Sequence, residues 1–250
     1  MALSSTTGGR NSFIVTPSAD LEAAVSDVVN SAFDRGGQAP TATGTVILVG
    51  SVGESARFLG RLADAVASVP TGMPGTPGAG ISALERPAGK REREALDSLS
   101  DGETWRVRPR QIDKDGAHWS PGLRDGVQAE SLVRRPERRA PVLDIVRVPS
   151  LVDAFEAQNS PGFGLSAGIH SRDVDEVATW LESVRAGVLC VNRSVVAGLG
   201  ARVPVGGWER AILGTGRAVG GQDAALVLGR WEPLDARPGA TVTLEGVGEH

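Results

Sequence analysis

The stretch Thr45-Val46-Ile47-Leu48-Val49 decides the fold, because a continuous apolar run suits a strand that is buried on both faces. Residues 19–33 before it and residues 55–69 after it carry apolar side chains at helical spacing. The first of these helices follows a short apolar strand at residues 12–15, and Ser18 can cap it. Strands that alternate with helices in this way predict βαβ units and a mostly parallel sheet.

The second half of the chain repeats this order. Its pattern predicts strands at residues 142–148, 165–169 and 188–191 and helices at residues 150–158 and 174–184. Alternation at residues 105–108 favours an edge strand. The fold class is therefore α/β, a mostly parallel sheet flanked by helices. Ligands of such sheets usually lie beyond the carboxyl ends of the strands, so we expect the site there, with loop 192–207 among its segments.

The chain divides into one large domain and a tail. We expect residues 1–232 to form a single domain in which residues 70–103 are an irregular insert rich in Gly and Pro. The mixed charges of residues 90–94 favour an exposed helical turn within that insert. Residues 233–250 are polar and rich in glycine, which predicts a disordered tail.

Composition excludes several classes of function. The net charge of −4 gives no global basic field for nucleic acid. No apolar run approaches the roughly 18–20 residues that span a membrane, and no secretory signal is visible. The one cysteine, Cys190, excludes an internal disulfide and a multi-cysteine zinc site. We expect a soluble cytoplasmic protein.

Several blocks of sequence resemble aldehyde dehydrogenases. They are residues 7–11 (Thr-Gly-Gly-Arg-Asn), residues 31–38, and the run formed by residues 164–171, 186–193 and 204–210. The last run is similar to the glutamate-γ-semialdehyde (1-pyrroline-5-carboxylate) dehydrogenases, which include the dehydrogenase part of proline utilisation A proteins. With gaps, the resemblance extends from about residue 2 to about residue 231.

This resemblance implies the fold of the catalytic half of an aldehyde dehydrogenase. The family reaction is the NAD-dependent oxidation of the semialdehyde to glutamate in proline catabolism. Its cofactor domain is expected to be absent, because the sequence contains no strand–Gly-x-Gly-x-x-Gly–helix unit. NAD is thus the cofactor by resemblance, and we expect that this chain alone does not bind it.

The resemblance places Pro40 where the family has its nucleophilic cysteine. Proline has no nucleophilic atom and no backbone N–H, and the family uses the N–H at this position to stabilise the oxyanion. Thr6 occupies the position of the family's general base, a glutamate, and a hydroxyl cannot serve as a base near neutral pH. We therefore expect this chain to be catalytically inactive by itself.

The resemblance assigns the remaining site positions as well. Thr41, the pair Ala197 and Gly198, and Val205 correspond to residues that bind the substrate. Glu137 corresponds to the glutamate that binds the nicotinamide ribose. Most of these positions differ from the family residue. Backbone N–H groups do not depend on the side chain, so they could still form an anion pocket.

Other reactive residues admit two interpretations each. Arg134, Arg135, Arg138 and Arg139 could bind an anion, or they could form a solvated cluster that pairs locally with Glu137. Cys190 could replace the missing nucleophile, but a lone cysteine in an apolar strand is usually a core residue. His170 matches a family histidine at a strand end, where a structural contribution is expected.

Three functional hypotheses remain at this stage. The chain is a degenerate dehydrogenase, a non-catalytic module that pairs with itself or with an active dehydrogenase subunit, or a truncated product with no selected function. Turnover with NAD would contradict the first, and a monodisperse monomer without an exposed apolar patch would argue against the second. DNA upstream of Met1 would test the third.

Overall fold

The computed structural model describes residues 4–71, 81–137, 139–196 and 206–214. Ala197, Gly198, Val205, Arg138 and the predicted tail at residues 233–250 lie outside the described residues. The helices are α1 (Leu21–Phe33), α2 (Ser51–Glu54), α3 (Ala56–Ala67), α4 (Lys90–Asp97), α5 (Leu151–Asn159) and α6 (Val174–Ser183), with 3₁₀ turns at Asp34–Gly37 and Ala129–Val133. The strands are β1 (Ser4–Thr6), β2 (Asn11–Val15), β3 (Thr43–Val49), β4 (Thr104–Val107), β5 (Gly122–Val127), β6 (Val142–Val148), β7 (Phe163–Gly164), β8 (Ser166–His170), β9 (Val188–Val191), β10 (Trp208–Glu209) and β11 (Ile212–Gly214).

The main sheet has seven strands in the order β4-β5-β6-β3-β2-β8-β9. Every neighbouring pair is parallel except β4 and β5, which are antiparallel at the edge. The predicted α/β class and the predicted edge strand near residue 105 are therefore both confirmed. Two small antiparallel pairs, β1 with β11 and β7 with β10, accompany the main sheet.

Strand β3 is buried on both of its faces, as its sequence predicts. Val46 and Leu48 belong to the hydrophobic cluster that contains helices α1 and α3. Ile47 and Val49 belong to the cluster on the opposite face, under α5 and α6. Successive side chains of a strand point to opposite faces, so an unbroken apolar run supplies both cores at once.

The start of α1 differs from the sequence-based expectation. Asp20 caps α1 by accepting a hydrogen bond from the Ala23 backbone at 3.2 Å. Ser18, the predicted cap, instead has its hydroxyl 2.8 Å from that of Ser171. The second predicted helix, residues 55–69, is α3, which Ser55 caps by accepting a hydrogen bond from the Phe58 backbone at 3.2 Å. The short helix α2 before it was not predicted. A local pattern names a capping residue type but not which of two neighbours adopts the cap geometry.

Strand β5 was not predicted from the sequence, because charged residues interrupt its apolar pattern. Arg124 of β5, Asp144 of β6 and Glu103 are almost completely buried. Together with Arg135 they form one ionic network. Arg124 lies 3.7 Å from Glu103 and 3.8 Å from Asp144, while Arg135 lies 3.1 Å from Asp144 and also contacts Glu103. Buried charges of this kind need paired partners, which only the fold brings together.

Candidate active site

The Pro40 turn connects the end of α1 to β3. Ala42 donates a backbone hydrogen bond to the Ala39 carbonyl at 2.9 Å, which closes a turn with Pro40 at its second position. Proline is favoured there because its fixed φ fits the turn. Gly37 precedes the turn with φ +72, and a Cβ at that position would lie 2.5 Å from the Ala140 carbonyl oxygen. The glycine is therefore required both by its conformation and by the close approach of another segment.

Two buried polar residues anchor this turn from neighbouring strands. The Asn11 side chain donates hydrogen bonds to the carbonyls of Pro40 at 2.8 Å and of Ala42 at 3.0 Å. Its oxygen accepts one from the Ser166 backbone at 2.9 Å, and the Ser166 hydroxyl donates to the Thr41 carbonyl at 3.0 Å. The sequence analysis assigned no function to Asn11 or Ser166. Their only signal was a polar residue at the start of an apolar strand.

The Pro40 turn lies at the amino edge of the parallel sheet, whereas ligands were expected at the carboxyl edge. The turn directly precedes β3, while Asn11 begins β2 and Ser166 begins β8. Parallel strands have their amino ends at the same edge of a sheet. The expectation of ligands at the carboxyl edge, with loop 192–207 among its segments, stays a prediction.

The two residues that the resemblance assigns to catalytic positions lack catalytic groups. Pro40 is exposed, and it offers neither a thiol nor a backbone N–H. Thr6 is also exposed, in β1, where it pairs with Ile212 of β11. Thr41 is buried, with its carbonyl held by Ser166; a contribution of Thr41 to substrate binding stays a prediction.

Cys190 does not replace the nucleophile in this fold. It is buried in β9 within the cluster that contains α1 and α3. Burial raises the pKa of the Cys190 thiol, which disfavours the reactive thiolate. The interpretation of Cys190 as a core residue is confirmed.

His170, at the end of β8, is likewise buried. Its Nε2 lies 3.0 Å from an Asp27 carboxylate oxygen, and its ring stacks on Phe13. Burial lowers the pKa of His170, although Asp27 opposes this effect. These contacts join α1 to β8 and support the expected structural contribution.

The backbone at Gly8 and Gly9 lies between Glu137, the predicted cofactor position, and Pro40, the predicted nucleophile position, and approaches both. Gly8 has φ +141, and a Cβ there would clash with the Glu137 carboxylate. A Cβ at Gly9 would lie 2.7 Å from the Pro40 carbonyl oxygen. Glu137 is half-buried and pairs with Arg139 at 3.7 Å. The structure thus brings Glu137 and Pro40 close to one short stretch of backbone.

The cluster of arginines near Glu137 is divided among different partners. Arg135 turns inward to Asp144 and Glu103, and Arg139 pairs with Glu137. Arg134 is exposed. Among the described members, the side chains do not converge on one anion site. The local pairing of Glu137 is the interpretation that the structure supports.

A small cleft with a cavity volume of ≈ 60 Å³ lies beside Glu137. Residues 9–12, the first residues of β3 and the segment 132–137 line it. The Arg10 guanidinium fastens that segment by donating to the Val133 carbonyl at 3.0 Å and the Leu132 carbonyl at 3.4 Å. The Gly-Gly-Arg motif therefore positions one wall of the cleft.

Within the described ranges, no group of three His, Cys, Asp or Glu side chains could hold a metal ion. No helix in the same part of the chain is long and apolar enough to cross a membrane.

Comparison with known proteins relates this site to one family. The model described as "Aldehyde dehydrogenase family" matches residues 2–226. Malonate-semialdehyde dehydrogenase of Halalkalibacterium halodurans is 31% identical over 211 residues, which are 83% of this chain and 43% of that protein. The chain therefore spans less than half the length of this curated relative.

Solved structures give the same relationship. Proline utilisation A from Corynebacterium freiburgense is 39% identical with a TM-score of 0.88, over 96% of this chain and 25% of that chain. A variant of Thermus thermophilus 1-pyrroline-5-carboxylate dehydrogenase is 25% identical with a TM-score of 0.77, over 89% of this chain and 42% of that one. The matched residues cover the Gly8-Gly9 motif, the Pro40 turn and Glu137. The chain belongs to the aldehyde dehydrogenase family.

Proposed function

We propose that this chain is a non-catalytic homologue of 1-pyrroline-5-carboxylate dehydrogenase. Its relatives in this branch oxidise glutamate γ-semialdehyde with NAD in proline catabolism. The observation that carries the proposal is Pro40, an exposed residue at the position where the family needs a thiolate. The Asn11 side chain holds its turn by hydrogen bonds to the carbonyls of Pro40 and Ala42. The cytoplasm remains the compartment that we predict for it.

The chemistry of aldehyde oxidation explains why Pro40 matters so much. A thiolate must attack the carbonyl to form a thiohemiacetal before hydride can leave. Proline removes this covalent route, and the loss of one oxyanion donor alone lowers rates by roughly 10²–10³. Thr6 at the base position removes the group that would activate water for thioester hydrolysis.

The assignment to the 1-pyrroline-5-carboxylate branch rests on the closeness of a proline utilisation A structure. That structure is 39% identical over 96% of this chain, against 31% over 83% for the malonate-semialdehyde enzyme. The motifs at residues 164–171 and 186–193 agree with this branch. The substrate-binding assignments of Thr41, Ala197, Gly198 and Val205 belong to the same proposal.

Little of the family's cofactor site is retained in this sequence. Glu137 is the single retained position of the family's cofactor contacts, and Arg139 lies 3.7 Å from its carboxylate. The family generally uses NAD or NADP, and we propose that this chain binds neither alone. No reaction step is therefore assigned to the cofactor here.

Purified chain should give no NADH above a protein-free blank when it is mixed with glutamate γ-semialdehyde and NAD. An active 1-pyrroline-5-carboxylate dehydrogenase in the same assay serves as the positive control. Turnover by the unmodified chain would contradict the proposal.

The variant Pro40→Cys tests the geometry of the turn. Its new thiol should react rapidly with a thiol reagent, whereas the unmodified chain, with only buried Cys190, should react slowly. Equal rates in the two proteins would mean that position 40 is not accessible.

A second candidate function is a module that pairs with itself or with an active dehydrogenase subunit. Helix α6 exposes Val174 (78% exposed), Ala178 and Leu181 at helical spacing, and Leu189 is exposed on the neighbouring edge strand β9. Apolar side chains on one face next to an open strand edge favour association.

Leu181→Glu should lower the mass of the particle measured by light scattering after size-exclusion chromatography. Val152→Glu, an exposed apolar residue on α5, is the matched control and should leave the mass unchanged. A monomeric unmodified chain would remove this candidate.

A further inference from the structure

The cleft beside Glu137 contains two hydroxyl groups without a protein partner among the described residues. They belong to Ser12 of β2 and Thr43 of β3, which are 5% and 1% exposed. Both residues line the cleft. A buried polar group that makes no hydrogen bond is costly, so native proteins rarely leave one without protein, water or ligand.

The two hydroxyls belong to adjacent strands of the sheet. Strands β2 and β3 are parallel neighbours, with Asn11 opposite Thr43 and Ser12 opposite Thr45, so Thr43 is a diagonal neighbour of Ser12. Diagonal neighbours lie roughly 7–8 Å apart, a separation that one small molecule between the two hydroxyls can bridge. Ser12 is held in place because Gln158 donates to its carbonyl at 3.2 Å, while Trp180 donates to Gln158 at 2.7 Å.

The charged groups of the cleft favour a ligand that accepts hydrogen bonds. The side chains of Arg10 and Arg135 line it together with the two hydroxyls. Arginine can only donate, and a hydroxyl can donate to an oxygen that has no hydrogen of its own. Glu137 also lines the cleft, but Arg139 lies 3.7 Å from its carboxylate, and Asp144 lies 3.1 Å from Arg135.

We propose that this cleft is a binding site for a small carboxylate, whose oxygens accept hydrogen bonds from Ser12 and Thr43. The site lies on the sheet side of the Pro40 turn, at the amino ends of β2 and β3. It needs neither a nucleophile nor a cofactor domain, and it is independent of the proposed loss of activity. A non-catalytic chain could retain it as a site for a small metabolite.

The test measures the binding of acetate and formate to the whole chain. Titration with sodium acetate, against sodium chloride at equal ionic strength, should shift backbone amide NMR signals of the strand starts in a saturable way. The double variant Ser12→Ala, Thr43→Val should weaken acetate binding at least tenfold, because both hydrogen bonds to a charged ligand are lost. Thr179→Val, which removes an exposed hydroxyl on α6, is the matched control and should bind acetate as the unmodified chain does.

Two results would overturn the proposal. Absence of a saturable effect of acetate or formate would mean that water alone fills the cleft. Equal affinity in the unmodified chain and in the double variant would place the binding elsewhere. If the double variant fails to fold, the single variant Thr43→Val and the location of the shifted amides in the unmodified chain decide the same question.

Discussion

Two polar regions lie on the face of the sheet that α5 covers, and they differ in how their buried groups are satisfied. In the ionic network, Arg124, Arg135, Glu103 and Asp144 pair with one another. In the neighbouring cleft, the Ser12 and Thr43 hydroxyls have no partner among the described residues. The first region contributes to holding the fold, whereas the second is left for solvent or a ligand.

The comparison teaches that burial alone does not tell what a polar residue does. Asp144 and Thr43 are 0% and 1% exposed, so exposure cannot separate them. The number of satisfied hydrogen bonds and ion pairs separates them. Removal of a group from the network should therefore be costly, and removal of a hydroxyl from the cleft should be nearly neutral.

The largest effect is expected for Asp144→Asn. This change keeps the shape of the side chain but leaves Arg124 and Arg135 with less negative charge beside them. Breaking a buried pair from one side typically costs about 3–5 kcal/mol, and urea unfolding measures the loss. Glu22→Gln, which disturbs an exposed pair with Arg61 at 3.1 Å, should cost at most about 1 kcal/mol. Equal costs for the two variants would break the comparison.

Asn11→Ala should have the next largest effect. Asn11 is the neighbour of Ser12, yet its side chain makes three hydrogen bonds that hold the Pro40 turn. At about 1 kcal/mol for each bond, the variant should lose roughly 3 kcal/mol of unfolding free energy. Asn30→Ala, on the exposed face of α1, should change stability little. A neutral Asn11→Ala would show that the turn does not depend on this anchor.

Asp125 extends the comparison to pH. Arg147 and Arg106 hydrogen-bond the Asp125 carboxylate and lower its pKa to about 2, against the opposing effect of burial. Because the pKa is lower in the folded state, this stability is present above about pH 5 and is lost as the pH falls through about 4 towards 2. Asp125→Asn should remove about 2 kcal/mol of this acid-dependent stability. Unfolding curves across this pH range measure it, with exposed Asp101→Asn as the control that should keep the full pH dependence.

The smallest effect is expected for Thr43→Val in the absence of ligand. Valine keeps the shape of threonine and removes a hydroxyl that has no partner in the described part of the protein. The unfolding free energy should stay within about 1 kcal/mol of the unmodified chain. A loss of roughly 2–3 kcal/mol would mean that firmly bound water already satisfies this hydroxyl.

Much of the fold was predictable because apolar periodicity is a local property. Strands β6 and β9 begin and end at the predicted residues, since their apolar runs are uninterrupted. Strand β5 was not predictable, because Arg124 and Asp125 are stable inside a sheet only when distant partners pair with them. The predicted cap of α1 was wrong because Ser18 and Asp20 are both suitable cap residues. Only the fold gave Ser18 another hydrogen-bonding partner, Ser171.

The candidate site was predictable in its residues but not in its position. Pro40, Thr6 and Glu137 were identified from motifs, and the structure shows that Glu137 and Pro40 approach the same glycine pair. Both lie at the amino edge of the sheet, whereas ligands were expected at the carboxyl edge. The substrate positions Ala197, Gly198 and Val205 lie outside the described residues, and their contribution stays a prediction.

The sequence by itself determined that this chain has an α/β sheet, and its family resemblance led us to place a proline at the nucleophile position. Both conclusions depend on residue types at fixed spacings along the chain. Only the tertiary structure decided which buried polar groups have partners, because those partners are far away in the sequence. Asp144 meets Arg124, Asn11 meets Ser166, and Ser12 and Thr43 line one cleft only after parallel strands align their amino ends.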